Sequence, residues 1–307
     1  MYVGPPSHVV GLPRLERALV MGVLNVTPDS FSDGGRWLDA DRAVEHGRHL
    51  VDEGADLVDV GGESTRPGAS RPSAQEEMDR VLPVIRALAA DGVTISVDTM
   101  RAEVAAAALE AGAVLVNDVS GGRADPDMFG TVASHDAPYV LMHWRAHSAT
   151  MQQQTRYDDV VADVAAELRE QLDLALAAGV APERIALDPG IGFSKTADQN
   201  WQVLAATEEY HRLGRPLLVA TSRKRFLGTL LEGPDGTLRP PLERDDATTA
   251  TTALAAVAGA WCIRAHAVRP TADAVRVAAA WAAARSTTRP DQTGHPSPAA
   301  RGTGGAR

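Results

Sequence analysis

Gly54-Ala-Asp-Leu-Val-Asp-Val60 follows a helical stretch, and the same design returns as Gly92-Val-Thr-Ile-Ser-Val-Asp98 and Gly112-Ala-Val-Leu-Val-Asn117. In each, a glycine ends a helix, a short β-favouring run follows, and the run gives way to polar residues. Such copies are the βα units of a parallel sheet. Upstream lies Met21-Gly-Val-Leu-Asn-Val-Thr-Pro-Asp-Ser-Phe-Ser-Asp-Gly-Gly35. Residues Ala18 to Leu24 read as a strand covered on both faces. Asn25 is the first polar residue after it, and Thr27, Pro28, Asp29, Ser30, Asp33, Gly34 and Gly35 are turn chemistry.

Further strands are expected at Tyr139–Met142, Ile185–Leu187, Leu217–Ala220 and Trp261–Ile263. Helices are expected at Asp39–Glu53, from the Ser73-x-x-Glu76 capping box to Ala90, and at Arg101–Ala111, Tyr157–Ala178, Ala247–Ala260 and Thr271–Ala284. Pro83 falls inside an apolar stripe that continues past it, so it should kink its helix without ending it. Eight strands, each with its following segment, fit the roughly 250 residues usual for a (β/α)8 TIM barrel. The expectation is therefore an α/β chain with one such domain over residues 18–285. Residues 1–17 form a lead-in, and residues 286–307, rich in Pro, Gly, Thr and Ser, a disordered tail. An open doubly wound sheet is the weaker reading, because neither Gly-x-Gly-x-x-Gly after the first strand nor Gly-x-x-x-x-Gly-Lys occurs.

Composition narrows the function. A chain of 307 residues with 44% apolar content can bury a large core, and a net charge of −10 gives no basic excess for nonspecific binding to nucleic acid. No apolar run reaches the roughly 20 residues that span a bilayer, and no signal-peptide order is seen, so no membrane partner and a cytoplasmic setting are expected. The single cysteine, Cys262, has apolar neighbours and reads as a buried thiol. Among 30 basic residues only Lys195 and Lys224 are lysines. A chain so biased toward arginine keeps a compact ammonium at two places.

Reading the strand ends in order gives Asn25, Gly61 to Gly68, Asp98, Asn117, His143, Asp188 to Lys195, Ser222-Arg223-Lys224, and Arg264 with His266. In a barrel, reactive groups gather at these ends. Asp98, Asn117, Asp188 and Lys224 suit the donor and acceptor edge of a flat heterocycle. Arg264 and His266 suit a phosphate or diphosphate. Asn25 offers a neutral oxygen to a magnesium ion held chiefly by substrate phosphates and water.

The blocks Asn25–Gly35, Gly61–Gly68, Ser96–Thr99, Asn117–Gly122, Asp188–Lys195, Ser222–Lys224 and Arg264–His266 resemble the dihydropteroate synthase family of folate biosynthesis, particularly its actinobacterial members. The resemblance spans roughly Ala18 to Ala284. It implies a (β/α)8 barrel, usually a homodimer, that joins a dihydropterin methyl diphosphate to p-aminobenzoate and releases diphosphate. Carried over position by position, it implies that Asp98, Asn117, Asp188 and Lys224 hold the pterin, and that Asn25, Thr65, Arg264 and His266 hold the diphosphate, with Mg2+ at Asn25. It further implies that Asp33 belongs to a first mobile loop and Thr65 and Arg66 to a second, acting in catalysis with Lys224, and that Phe31, Pro67 and Phe193 shape the p-aminobenzoate pocket. The chain departs from the family at Ala267, where aspartate commonly follows the Arg-x-His motif. Alternatives are a pterin-dependent methyltransferase barrel, a Schiff-base enzyme using Lys224, and a non-catalytic pterin-binding paralogue.

Overall fold

The three repeats turn from helix to strand through glycines held in the left-handed region, with φ of 105° at Gly54, 78° at Gly92 and 113° at Gly112. A side chain is strained there, which is why the chain stops each helix on glycine. At Gly112 a Cβ would also stand 2.6 Å from the Cβ of Ala89.

The structure, a computed structural model, describes residues 8–27, 36–63, 71–147 and 151–287. Within them the chain alternates strand and helix. The order begins β1 (Leu19–Asn25), α1 (Arg36–Asp52), β2 (Leu57–Gly61), α2 (Ala74–Ala90), β3 (Ile95–Asp98), α3 (Ala102–Glu110), β4 (Leu115–Asp118) and α4 (Met128–Ser134). It continues with β5 (Tyr139–Met142), α5 (Val160–Ala177), β6 (Ile185–Asp188), α6 (Ala197–Ala205), α7 (Thr207–His211) and β7 (Leu218–Val219). It closes with α8 (Arg225–Leu230), α9 (Asp245–Val257), β8 (Cys262–Ala265) and α10 (Val268–Thr287).

All eight strands join one sheet in the order β6-β5-β4-β3-β2-β1-β8-β7, and every pairing is parallel. The sheet closes through a single bridge between Leu187 and Leu217, where Leu187 N donates to Pro216 O at 2.8 Å. The result is a (β/α)8 TIM barrel, nearly closed.

Alternation along the strands sorts side chains into two cores. Outward-facing Val20, Leu24, Val58, Val60, Val97, Val116, Leu141 and Ile263 pack against the helices. Inward-facing Leu19, Met21, Leu57, Leu115, Val140, Ala186, Leu218 and Cys262 fill the barrel's lower half. Burial pushes the Cys262 thiol far up, as suits a packing residue.

Val9 and Leu12 belong to that inner core together with Trp261. Residues 8–17 are thus part of the barrel's packing, closing its lower end, and the lead-in read from the sequence is ordered over this span. Arg17 clips it to the barrel: its guanidinium donates to Asp56 Oδ2 at 2.6 Å and Oδ1 at 2.9 Å, and Asp56 Oδ2 also accepts from Val20 N at 2.8 Å.

The expected capping box is present, with Ser73 Oγ accepting from Glu76 N at 3.2 Å and Glu76 Oε2 accepting from Ser73 N at 2.8 Å. Helix α2 then runs unbroken across Pro83. Four short helices, α4, α6, α7 and α8, are absent from the sequence reading. One of them carried a readable signal: Thr196 and Gln199 form a second capping box at the start of α6. At the C-terminus α10 extends through Thr287, two residues past the expected boundary at Arg285.

Replacing Asp56 with alanine strands the Arg17 guanidinium and the Val20 amide together. The expected loss is about 2 kcal/mol of unfolding free energy, measured as a lower denaturant midpoint; a loss below about 0.5 kcal/mol would contradict the clip.

Candidate active site

Toward their C-terminal ends the inward positions change character. On β2 Leu57 is followed two residues later by Asp59, on β4 Leu115 by Asn117, on β6 Ala186 by Asp188, and on β8 Cys262 by Arg264. The lower half of the barrel is apolar and the upper half is a ring of polar groups.

Arg264 is the hub of that ring. Its Nε donates to Asp59 Oδ2 at 2.6 Å and its Nη2 to Asp98 Oδ2 at 2.7 Å. Asp59 Oδ2 also accepts from Asn117 Nδ2 at 2.9 Å. Asp59 is fully buried, and Asp98, Asn117 and Asp188 nearly so. Burial pushes the Asp98 carboxyl up to about 7 although Arg264 pulls it down. Burial raises Asp188 as well, against the pull of Lys224. The same burial brings the Lys224 ammonium down to about 8, with Asp188 opposing. Arg264 stays charged, because Asp59 and Asp98 outweigh its own desolvation.

Several polar atoms of the ring make no hydrogen bond among the described residues. Asp59 Oδ1 is one, buried beneath the mouth; the others are Asp98 Oδ1, Asn117 Oδ1 and Asp188 Oδ2, whose partner oxygen Oδ1 accepts from Gly190 N at 2.7 Å. Among the described residues Lys224 Nζ donates only to Ile191 O, and Arg264 Nη1 donates to none of them. Three open acceptors and two open cations therefore face one mouth. Beside them lies an apolar shelf of Met100, Val119 and Met142 with Trp144 and Phe193.

Both lysines grip the loop after β6. Lys195, buried, gives its three protons to Gly190 O at 3.0 Å, Phe193 O at 3.1 Å and His143 Nδ1 at 3.1 Å. From the other side the Lys224 stem crosses Gly192, where a Cβ would lie 2.7 Å from Lys224 Cδ, and its Nζ stands 4.9 Å from the centre of the Phe193 ring. His143 completes the brace by bonding Glu167 Oε2 at 3.0 Å.

A family model for pterin-binding enzymes matches residues 21–266. The dihydropteroate synthase of Mycobacterium leprae is 55% identical over 263 residues, covering 85% of this chain and 93% of that one. The chain belongs to the dihydropteroate synthase family of pterin-binding enzymes. Among solved structures, Xanthomonas albilineans dihydropteroate synthase with 4-aminobenzoic acid superposes with a TM-score of 0.82 at 43% identity, covering 92% of this chain and 98% of that one. The same enzyme in complex with 7,8-dihydropteroate gives 0.79 at 41% identity, covering 92% and 99%.

Of the family residues expected from the sequence, the barrel gathers Asp98, Asn117, Asp188, Lys224 and Arg264 at one mouth. Phe193 lies beside Lys224, and Asn25 ends β1 opposite Gly61. His266 pairs with Ser222: Ser222 Oγ accepts from His266 N at 3.1 Å and meets Nδ1 at 2.9 Å. Burial, helped by Arg264, brings the His266 imidazole down to about 3, so it offers a hydrogen bond where the sequence suggested a charge. Phe31, Asp33, Thr65, Arg66 and Pro67 lie outside the described residues. Asp59 is the residue the sequence reading passes over. Its signal was a carboxylate at an inward position of an otherwise apolar strand. At the family departure, Ala267 O accepts from Thr271 Oγ1 at 2.8 Å, so the first turn of α10 is braced from within.

His143 is held down to about 4, by burial first and Lys195 second. An unfolded imidazole takes up its proton near 6.5, whereas His143 and His266 stay neutral in the native state well below that. Between about pH 4 and 6.5 these two imidazoles bind more protons in the unfolded chain, so their own contribution to stability rises with pH through this window, against the opposite contribution of the raised Asp98 carboxyl. A His143→Gln variant should show a visibly shallower rise in unfolding free energy over that window; an unchanged slope would contradict the assignment.

Proposed function

We propose that this chain carries out the dihydropteroate synthase reaction, joining a dihydropterin methyl diphosphate to p-aminobenzoate to form dihydropteroate and diphosphate. The observation that carries the reading is the mouth itself. A 2-amino-4-oxopterin presents an exocyclic amine and ring N–H groups along its edge and a carbonyl beside them. Asp98 Oδ1, Asn117 Oδ1 and Asp188 Oδ2 are open acceptors for the first set, and Lys224 is an open donor for the second.

In this reading the diphosphate lies against Arg264 Nη1 and the outer nitrogen of His266, with Thr65 completing its contacts. The C–O bond to the pterin methylene breaks and its electron pair leaves with the diphosphate. Arg264 stabilises that charge from a fixed position, a preorganised electrostatic effect. The methylene left behind is conjugated to the pterin ring, and the p-aminobenzoate nitrogen donates its lone pair to form the C–N bond, losing a proton to water. A neutral arylamine needs no strong base to attack such a carbon. Phe193, beside Lys224, serves the aromatic acid in this reading, which also gives Phe31 and Pro67 a part in binding that acid and Asp33, Thr65 and Arg66 a part in catalysis, as the resemblance implies.

Among the described residues no cluster of three acidic, histidine or cysteine ligands could hold a metal. Asn25, half-buried at the end of β1, fits a magnesium ion that arrives with the diphosphate and takes one neutral oxygen from the protein. Magnesium supplies neutralising charge on the leaving group when bound. A homodimer is part of the proposal: Leu254 of α9 and Val277 and Trp281 of the adjoining α10 are 68%, 65% and 61% exposed, large apolar side chains on two neighbouring helices that a partner would cover. Among the described residues no helix is long and apolar enough to cross a membrane. The single reduced, buried Cys262 suits the cytoplasm, where the proposal places the reaction. No observation favours a pterin-binding paralogue without activity.

Purified protein given the dihydropterin methyl diphosphate should release diphosphate only when p-aminobenzoate and magnesium are both present, with dihydropteroate as product. Lys224→Met should weaken pterin binding by roughly tenfold or more. Pterin binding without any release would overturn the reaction. Trp281→Glu should shift the protein from dimer to monomer in light scattering after gel filtration, and a dimer that survives it would remove this face from the proposal.

A further inference from the structure

We propose that Asp59 is a positioning residue that sets the hydrogen-bonding polarity of the pterin site by locking the Asn117 amide with its oxygen outward. The inference rests on the pterin reading above. It begins from the ambiguity of an asparagine, whose amide oxygen and nitrogen are nearly the same size and exchange places by a half-turn. Unaided, Asn117 could offer the mouth either an acceptor or a donor.

Asp59 removes the choice. An ionised carboxylate only accepts, so the atom Asn117 turns toward it must be Nδ2, and the bond at 2.9 Å is of that kind. Asn117 Oδ1 is then the atom left without a partner among the described residues. The same oxygen of Asp59 takes Arg264 Nε at 2.6 Å, closing an ion pair between them. From β2, Asp59 therefore ties β4 to β8, reaching across β3 on one side and β1 on the other.

The strand around Asp59 is built for this reach. Gly61, the next inward residue on β2, has no side chain, and a Cβ there would lie 3.3 Å from Asp98 Cβ. Gly61 is paired in register with Asp98, so Asp98 occupies the space that a side chain at 61 would fill. Asp59 itself is fully buried and sits one layer below the mouth. It touches the ring and not the ligand, and its influence passes through Asn117 and Arg264.

The test compares two affinities. Binding of 6-hydroxymethyl-7,8-dihydropterin and of its 2,4-dioxo analogue, in which the exocyclic amine becomes a carbonyl, is measured by calorimetry for wild type, Asp59→Leu and Asp59→Asn. A purely structural role would weaken both ligands together. The proposal expects the preference for the amino compound to fall by roughly tenfold in Asp59→Leu, where Asn117 is free to turn, and to be largely restored in Asp59→Asn, which keeps an acceptor oxygen. A folded Asp59→Leu protein with the wild-type preference would overturn it. Should that variant fail to fold, the wild type still decides: by NMR the Asn117 side-chain amide protons should exchange at least roughly 100-fold more slowly than exposed amides. Exchange at the exposed rate would also overturn the proposal. A wild type that binds no pterin would instead sink the reading on which it rests.

Discussion

The upper half of this barrel depends on one arginine between two carboxylates. Arg264 reaches Asp59 and Asp98 with separate nitrogens, and a buried group of charges is tolerated only when each has such a partner. Asp59, Asp98 and Asp188 face Arg264 and Lys224, with Lys195 acting on Asp188 from behind the loop after β6. Burial raises the carboxyl of Asp98 and lowers the ammonium of Lys224. A ligand edge rich in N–H groups would give these carboxylates donors, which is how the proposed pterin reading uses the cluster.

Around that cluster the chain supplies rigidity by side chains that never touch the reaction. Lys195 spends all three of its protons on the loop after β6 and on His143, and His143 is anchored in turn by Glu167. A guanidinium fork could not satisfy three acceptors set around one nitrogen. This explains one of the two lysines kept in an arginine-rich chain. The other, Lys224, crosses Gly192 from the opposite side and holds its ammonium at the mouth. Glu63 and Arg71 do similar work on β2's side of the mouth, joined at 2.7 Å, with Arg101 donating to Glu63 at 3.1 Å and to Glu77.

The strands were legible in the sequence because three glycines with positive φ announce them and because strands covered on both faces read as continuous apolar runs. Short helices such as α7 and α8, of five and six residues, are too brief for a period of 3.6 to declare itself. Val9 and Leu12 could not be recognised as the barrel's lower closure, since their partners lie far along the chain. In the site, the residue types at strand ends foretold which groups meet, but not their pairings. Arg264 looked like a free cation for phosphate, and only the register of β8 on β1, and of β1 on β2, shows that two of its nitrogens are already engaged. Asp59 was hidden for the same reason: its importance comes from partners two strands away in each direction.

The most direct measurement is the crystal structure of the protein with an unreactive dihydropterin bound. The account predicts the ring's amine and N–H edge against Asp98, Asn117 Oδ1 and Asp188, its carbonyl toward Lys224, and Arg264 still paired with Asp59. A ring bound elsewhere, or an Arg264 that leaves Asp59 to meet it, would contradict the account.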